Sequence, residues 1–273
     1  MTGPLSDPVW SDGRPATPDE LSALGLANFG HFTTMTVASG RVRGLRLHLR
    51  RLVDDCRAVF DTELDPGQAL AGVRRAVGRA AATAVTVRVT VFDPALNVLG
   101  PVDSRPRPRV LIATRPAVAT PLPPLRLRTY PYQRDLPAVK HTGLFGAVRL
   151  RRAARADGAD DALFVADGQV LEGPTWNLGL VVDGEVRWPA GPCLPGVTMR
   201  LVSAAAGAAG MRCRTAPLTL ADLARADGVF VTNASVGVRA VATVDGAPIA
   251  GTPLVRRLAR WYAEYPADQL EHS

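Results

Sequence analysis

A run of prolines near the middle of the chain limits its architecture more than any other feature. The segment 115–124 contains four prolines, at positions 116, 121, 123 and 124. Proline has a fixed φ and no backbone N–H, so this stretch suits neither a helix nor a central strand. The chain has 273 residues, which is enough for two modest domains. We therefore predict a small N-terminal α/β domain (1–114), an interdomain linker (115–125) and a larger C-terminal domain (126–273).

Hydrophobic periodicity predicts both helices and strands. Apolar residues recur at helical spacing after Gly44, which predicts a helix with Arg51 at the edge of its apolar face. Valines alternate with polar residues over 85–91, as in a half-buried strand. Asp167-Gly168 and Asp183-Gly184 separate apolar runs, a pattern typical of β-hairpins. The chain is therefore predicted to be a mixed α/β (α+β) protein.

Composition and charge exclude several classes of protein. Hydrophobic residues make up 47% of the chain and charged residues 21%, which excludes disorder throughout. The net charge of +7 comes from dispersed arginines, and aromatic residues are only 5%, so we predict no nucleic-acid partner. No window reaches the roughly 18 apolar residues of a membrane span, and the N-terminal residues lack a signal-peptide pattern. Three widely spaced cysteines without a CxxC pair predict a reducing, cytoplasmic location and no metal site.

Lys140 is the strongest candidate for a reactive side chain. The chain has no GxGxxG, GxxxxGK[ST], HExxH or GxSxG sequence, so nucleotide-binding, zinc-protease and serine-hydrolase functions lose support. Of its 32 lysines and arginines, Lys140 is the only lysine. A guanidinium stays protonated and is not nucleophilic, whereas a lysine amine can form an imine. Imine chemistry is therefore a reason to retain this lysine, and a chance surface lysine is the alternative.

Short motifs, found in the expected order, resemble those of the class IV aminotransferases. These are the fold-type IV pyridoxal phosphate enzymes, which include branched-chain and D-amino acid aminotransferases and aminodeoxychorismate lyase. The resemblance covers roughly residues 28–246. It implies a two-lobed fold like that of D-amino acid aminotransferase, a cleft for pyridoxal 5'-phosphate between the lobes, and a homodimer. The motifs are Phe29-Gly30-His31-Phe32-Thr33-Thr34, His48-Leu49-Arg50-Arg51-Leu52, Val139-Lys140, Glu172-Gly173-Pro174-Thr175-Trp176-Asn177, Leu194-Pro195-Gly196-Val197-Thr198 and Val231-Thr232-Asn233-Ala234.

The resemblance assigns the central chemistry to three of these residues. Lys140 would hold the cofactor as an internal aldimine, and Arg51 would bind the cofactor phosphate through a charge-assisted contact. Glu172 would lie near the pyridine nitrogen and keep it protonated, so that the ring accepts carbanion electrons. The alternatives are a solvated helix-edge arginine and an exposed turn glutamate.

Four further residues complete the predicted cofactor site in the C-terminal domain. Val197 and Thr198, at a helix start, would offer backbone N–H groups and a hydroxyl to the phosphate. The alternative for Thr198 is simple N-capping of that helix. Asn233 and Ala234 follow the last motif strand and are the remaining predicted cofactor-binding residues.

Departures from the family pattern leave the substrate open. Pro174, Phe145 and Ala234 differ from common family residues, and Phe92-Asp93-Pro94 replaces an Arg-Gly that supplies a candidate cation for a substrate carboxylate. We expect transfer of an amino group between an amino acid and a 2-oxo acid. The first alternative is an aminodeoxychorismate lyase, which forms 4-aminobenzoate and pyruvate and which Phe32-Thr33-Thr34 and Asn233-Ala234 resemble. The second is a non-catalytic binding protein of the same fold, against which the retained site residues argue.

Overall fold

A computed structural model describes residues 8–80, 82–96 and 105–270 of the chain. Their contacts divide the chain into two compact units. The first unit comprises the described residues up to Val118, together with Val139–Gly143 and those from Pro266 onwards. The second unit comprises Ala119–Ala138 and Leu144–Tyr265.

Helices and strands occur in both units, so the fold is mixed α/β, as predicted. The elements up to the proline-rich segment are β1 (Trp10–Ser11), β2 (Arg14–Pro15), α1 (Pro18–Ala27), β3 (Gly30–Ala38), β4 (Arg41–Val42), α2 (Leu45–Phe60), α3 (Pro66–Arg79), β5 (Ala84–Phe92) and β6 (Arg109–Pro116). Those after it are β7 (Leu125–Pro131), α4 (Phe145–Ala156), β8 (Asp161–Ala166), β9 (Gln169–Val170), β10 (Glu172–Gly173), β11 (Trp176–Val182), β12 (Glu185–Pro189), α5 (Val197–Ala208), β13 (Cys213–Ala216), α6 (Leu220–Arg225), β14 (Gly228–Asn233), β15 (Gly237–Val244), β16 (Ala247–Pro248), α7 (Pro253–Glu264) and β17 (Asp268–Gln269).

The limits of the two units differ from those of the predicted domains. The predicted linker, 115–125, overlaps the end of β6 and the start of β7, and only residues 117–124 lack helix and strand. The predicted C-terminal domain, 126–273, included Val139–Gly143 and β17, which both group with the first unit. The reason is long-range pairing, because Lys140 and Thr142 bond to β3 and β17 pairs with β4.

The first unit is built on a sheet with the order β17-β4-β3-β5-β6-β1-β2 among the described residues. β3, β5 and β6 pair antiparallel. The valines of β5 are buried in one core with residues of α2 and α3, such as Leu52 and Val73. Both the predicted strand over 85–91 and the predicted helix after Gly44 are therefore confirmed, and the opposite face of β5 carries Thr86, Arg88 and Thr90.

The second unit is built on a sheet with the order β13-β12-β11-β14-β15-β7-β8-β9 among the described residues. Asp183 and Gly184 both have positive φ, at 50° and 73°, and they turn β11 into β12. The predicted hairpins at this turn and at Asp167-Gly168 are both present. α4 connects the parallel strands β7 and β8. The described residues contain no helix long and apolar enough to cross a membrane, and residues 1–7, which belong to the stretch without a signal-peptide pattern, lie outside them.

Candidate functional site

The backbone N–H and the backbone carbonyl of Lys140 are both hydrogen-bonded within the first unit. Its N–H donates to Oδ2 of Asp55 on α2 at 3.0 Å, and its carbonyl accepts the N–H of Phe32 on β3 at 2.8 Å. The next residues follow β3 further, since the N–H of Thr142 donates to the carbonyl of Gly30. The Lys140 side chain is half-buried, and its Nζ lies 4.9 Å from the centre of the Phe32 ring. A short segment thus attaches the only lysine of the chain to β3 and α2.

Three residues of α2 form an electrostatic cluster with this lysine, which we call the Lys140 cluster: Lys140, Arg51, His48 and Asp55. Burial and, to a lesser degree, the positive charges of Arg51 and Lys140 together lower the pKa of His48 to about 3. Nδ1 of His48 lies 2.7 Å from the hydroxyl of Thr33. Burial raises the pKa of Asp55, and its bond to the Lys140 N–H and the charges of Arg51 and Lys140 oppose that shift. Arg51 is half-buried whereas Arg50 is exposed, so Arg51 is not a solvated helix-edge arginine.

Arg88 places a second cation beside the ring that Lys140 contacts. Its guanidinium carbon lies 3.6 Å from the centre of the Phe32 ring, and its Nε donates to the hydroxyl of Thr90 at 3.1 Å. Burial, together with the charge of Arg115, lowers the pKa of Arg88 to about 10. Among the described residues no carboxylate forms an ion pair with Arg88. The strand before Phe92-Asp93-Pro94 therefore carries a cation that the sequence analysis did not assign.

Glu172, in the second unit, belongs to a buried hydrogen-bond network. Its Oε1 accepts from Nε of Arg134 at 2.8 Å, and its Oε2 accepts the N–H of Leu194 at 3.1 Å. Arg134 also donates to the carbonyl of Pro137 at 2.6 Å. Glu172 and Arg134 are 5% and 8% exposed, so the alternative of an exposed turn glutamate is wrong.

The turn before α5 is fixed by Asn177. Its side-chain Nδ2 donates to the carbonyl of Leu194 at 2.7 Å, and its Oδ1 would lie only 1.9 Å from a Cβ placed on Gly196. Gly196 is the N-cap of α5 and provides no side-chain hydrogen bond. Val197 is the first residue of the helix, whose initial N–H groups have no partner within the helix.

Thr198 lies inside α5 and does not cap it. Its hydroxyl is buried and has no hydrogen-bond partner among the described residues. The alternative of simple N-capping is therefore wrong, and a buried hydroxyl without a partner is unusual in proteins. This hydroxyl and the N–H groups at the start of α5 make a site suited to an anion.

Asn233 is the last residue of β14, and Ala234 begins the turn after it. Oδ1 of Asn233 accepts the N–H groups of Ser235 and Val236, at 2.9 and 3.0 Å, so this side chain stabilises its own turn. Thr232, the residue before them, has a buried hydroxyl without a partner among the described residues. It pairs with Asn177 across β14 and β11.

The departures from the family pattern lie in different surroundings. Phe145 is the first residue of α4 and is 80% exposed. Pro174 is buried between β10 and β11. Asp93 is buried, and its carboxylate accepts the N–H groups of Ala95 and Arg107, so it stabilises its own loop.

Comparison with known proteins identifies the family. The profile of the amino-transferase class IV family matches residues 30–244 of this chain. The chain belongs to the class IV aminotransferases. It is 30% identical over 268 residues to the bifunctional aminodeoxychorismate lyase / D-amino acid transaminase of Mycobacterium tuberculosis, across 88% of this chain and 90% of that protein.

Solved structures of low identity show the same fold for this class IV aminotransferase. A branched-chain aminotransferase from Thermoproteus uzoniensis, solved with norvaline, has a TM-score of 0.85 at 22% identity, across 94% of this chain and 93% of that one. The PLP-bound form of a hypothetical aminotransferase from Mycobacterium tuberculosis has a TM-score of 0.80 at 22% identity, across 95% of this chain and 98% of that one. The two-lobed, fold-type IV class that was predicted is therefore confirmed.

Sequence reasoning missed four polar residues of this class IV aminotransferase: Asp55, Arg88, Arg134 and Thr232. Arg88 had a usable signal, because an arginine between threonines interrupts the polar side of a predicted strand. Thr232 lies in the motif Val231-Thr232-Asn233-Ala234, of which only Asn233 and Ala234 were predicted to bind the cofactor. Asp55 and Arg134 had no local signal, since their partners are 85 and 38 residues away in sequence.

Proposed function

We propose that this class IV aminotransferase binds pyridoxal 5'-phosphate and transfers an amino group between an amino acid and a 2-oxo acid. The observation that carries the proposal is the placement of the only lysine. Its backbone N–H and carbonyl are both hydrogen-bonded, and it forms an electrostatic cluster with Arg51, His48 and Asp55. When bound, pyridoxal phosphate supplies an aldehyde and a ring that accepts electrons from the substrate α-carbon. The chain supplies the amine, the anchors and the proton transfers.

Lys140 would hold the cofactor aldehyde through its side-chain amine. An amine can do this, whereas the guanidinium groups that make up the rest of the basic residues cannot. The side-chain amine of Lys140 would also be the base that moves the proton at the substrate α-carbon. Phe32 and Asp55 keep the Lys140 peptide in place while its side chain moves.

As the family resemblance implies, Arg51 would bind the cofactor phosphate, and in the second unit the start of α5 would offer groups that bind an anion. The buried hydroxyl of Thr198 has no protein partner among the described residues, and a phosphate oxygen would supply one. Val197 contributes backbone N–H capacity at a helix start, where the helix dipole favours an anion. Asn233 and Ala234 would shape the turn after β14, which the Asn233 side chain stabilises. Thr232, on β14, adds a second buried hydroxyl. These groups fit a phosphate, which accepts several hydrogen bonds at once.

Glu172 is the residue that serves the ring nitrogen. Arg134 provides the counter-charge that a buried carboxylate needs. The Leu194 N–H fixes the second oxygen. An ionised carboxylate has about four lone-pair sites, so the two bonds present leave capacity for a further donor.

Arg88 is the residue that binds a carboxylate of the substrate. It is a half-buried cation without a carboxylate partner among the described residues, and it stacks on the same ring that Lys140 contacts. Amino acids and 2-oxo acids carry the carboxylate that such a cation binds. This supplies the cation that Phe92-Asp93-Pro94 lacks, and because aminodeoxychorismate also carries carboxylates, Arg88 would serve either reaction.

The second candidate function is that of an aminodeoxychorismate lyase. The Mycobacterium tuberculosis relative that matches most of this chain is named for both lyase and D-amino acid transaminase activities. Lys140 serves either reaction, so the Lys140 cluster alone does not separate them. The retained Lys140, Arg51 and Glu172 argue against the third candidate, a non-catalytic binding protein of the same fold.

We further propose a homodimer in a reducing, cytoplasmic compartment. The dimer rests on the family resemblance, and light scattering at micromolar concentration tests it, because an active monomer would contradict it. The compartment rests on Cys56, Cys193 and Cys213, which are all free thiols.

A half-reaction tests the proposed transamination. The protein is loaded with pyridoxal phosphate and mixed with a panel of L- and D-amino acids, and formation of pyridoxamine phosphate is followed by absorbance. Borohydride reduction of a separate sample, followed by peptide mass analysis, should place the cofactor on Lys140. Lys140→Ala should abolish both signals, and Lys140→Arg controls for the positive charge.

The outcomes separate the three candidates. Conversion of an amino acid supports transamination. No conversion, with 4-aminobenzoate and pyruvate formed from aminodeoxychorismate, establishes the lyase instead. Failure to take up pyridoxal phosphate at all leaves the binding protein.

A further inference from the structure

Asp55 is a buried carboxylate whose hydrogen bond supports the main chain of Lys140. Its Oδ2 accepts the Lys140 N–H at 3.0 Å, and the Lys140 carbonyl accepts the N–H of Phe32. Asp55 is only 6% exposed. A buried carboxylate is unfavourable unless hydrogen bonds and opposite charges compensate it, so its position near the reactive lysine requires an explanation.

The charges around Asp55 are those of the proposed cofactor site. On α2 the positive group is Arg51, one turn earlier, and the negative neighbour is Asp54. From the segment Val139–Gly143 the positive group is Lys140. His48, the remaining titratable member of the cluster, is buried and has a lowered pKa, so it adds no positive charge near neutral pH. The Asp55 carboxylate is therefore influenced by both of the cations to which we assign the cofactor's aldehyde and phosphate.

The adjacent residue, Asp54, is also an aspartate on α2, but it is not buried. Asp54 is exposed, and its Oδ1 lies 3.6 Å from the Arg57 guanidinium on the helix surface. Only Asp55 faces Lys140. The two aspartates thus form a natural pair for comparison, one buried against the lysine segment and one in solvent.

We propose that Asp55 is a positioning residue for Lys140: its carboxylate bonds the Lys140 peptide to α2 and so fixes the lysine relative to Arg51 on the same helix. This inference rests on the proposed function for its consequence, which is that cofactor affinity and turnover depend on Asp55 through its bond to Lys140. The bond itself can be tested without any cofactor.

The first measurement is amide hydrogen exchange of the peptide that contains Lys140, in purified protein. Asp55→Leu removes the acceptor, and exchange of this peptide should become about tenfold faster or more, as expected when a buried N–H loses its partner. Asp55→Asn keeps an acceptor oxygen and should stay near wild type. Asp54→Leu and Asp54→Asn are the matched controls and should change nothing, and exchange in α3 should be unaffected in all four variants. If Asp55→Leu does not fold, Asp55→Ser, whose hydroxyl is too short to reach, takes its place.

The second measurement is the dissociation constant for pyridoxal phosphate, with kcat and KM for the amino donor. Asp55→Leu should weaken cofactor binding about 5- to 150-fold, the range for a buried donor left unsatisfied, and lower kcat more than it raises KM. Asp55→Asn should retain most of the affinity.

The two measurements fail separately. If wild-type protein does not bind pyridoxal phosphate at Lys140, the proposed function is wrong, while the exchange data still report on the bond. If Asp55→Leu exchanges no faster than Asp54→Leu, or if Asp55→Asn is as impaired as Asp55→Leu, the positioning role is wrong even in an active transaminase.

Discussion

Arg134 donates a hydrogen bond from Nε to Oε1 of Glu172 across 2.8 Å, and both side chains are buried in the second unit. The second carboxylate oxygen accepts the N–H of Leu194, in the turn before α5. Glu172 thereby links the segment after β7 to the turn that presents Thr198. The orientation of its carboxylate is set by residues distant in sequence.

Replacing Arg134 with methionine should leave the Glu172 carboxylate buried without its counter-charge. We expect a loss of about 3–5 kcal/mol in the free energy of unfolding, the scale for removing one partner of a buried pair. The double variant Arg134→Met/Glu172→Gln should lose less than the sum of the two single variants, because no uncompensated charge remains. Urea unfolding of all four proteins measures this, and purely additive losses would contradict a coupled pair.

Gly196→Ala should disturb the start of α5 through a single contact. A Cβ at this position would lie 1.9 Å from Oδ1 of Asn177, so the amide must shift and lose its bond to the Leu194 carbonyl. We expect destabilisation of about 1–3 kcal/mol, typical of an overpacked core position. The matched control is Gly207→Ala on α5, where a Cβ meets nothing within 4 Å and where helix propensity predicts a gain of about 0.5–1 kcal/mol. Equal effects in the two variants, measured by urea unfolding, would remove the steric explanation.

The features that the sequence predicts are those whose signal lies in a short stretch of residues. Lys140 was recognisable because it is the only lysine in a chain rich in arginine, and the role predicted for Arg51 came from the resemblance of its motif to that of the family. The hairpins at Asp167-Gly168 and Asp183-Gly184 followed from residues that tolerate positive φ. Each of these signals lies within a few residues.

The parts that sequence reasoning missed depend on long-range contacts. Nothing near Asp55 indicates that it faces a lysine 85 residues later, and nothing near Lys140 indicates that its segment joins β3 of the first unit. The domain prediction placed Lys140 with its sequence neighbours for the same reason. Thr198 was considered as a cap because threonine favours caps, but Gly196 takes that place since Asn177 leaves no room for a side chain there.

Arg51→Ala should weaken binding of pyridoxal phosphate. A charge-assisted hydrogen bond to phosphate is worth about 1.5–3 kcal/mol, so the dissociation constant should rise roughly 10- to 150-fold. Arg50→Ala is the control, because Arg50 is exposed on the same helix. The measurement is a titration of cofactor absorbance or fluorescence. Unchanged affinity in Arg51→Ala would exclude Arg51 from the phosphate site.

Arg88→Leu should impair the use of carboxylate substrates while sparing cofactor binding. Loss of a charge-assisted contact should lower kcat/KM about 10- to 100-fold. Arg88→Lys, which keeps the charge without the planar group, should recover part of the loss. The control is Arg115→Leu, which removes a neighbouring charge on β6. If Arg88→Leu and Arg115→Leu reduce kcat/KM equally, or if cofactor affinity falls as much as kcat/KM, Arg88 does not bind the substrate carboxylate.

The stability of the protein should fall on mild acidification because two histidines are buried without charge. Burial lowers the pKa of His31 to about 4 and that of His48 to about 3, whereas an unfolded histidine titrates near 6.5. The folded-state pKa values are lowered, so this contribution is complete above about pH 6.5 and is lost as the pH falls toward the folded values. Between pH 7 and pH 5 each histidine should cost about 2 kcal/mol of unfolding free energy.

Neither ring nitrogen of His31 has a hydrogen-bond partner among the described residues, so His31→Met removes the titration without breaking a bond seen there. The difference in unfolding free energy between pH 7 and pH 5, measured by urea unfolding, should therefore be about 2 kcal/mol smaller in His31→Met than in the wild type. An equal difference in both proteins would show that His31 is protonated in the folded state or that it is not buried.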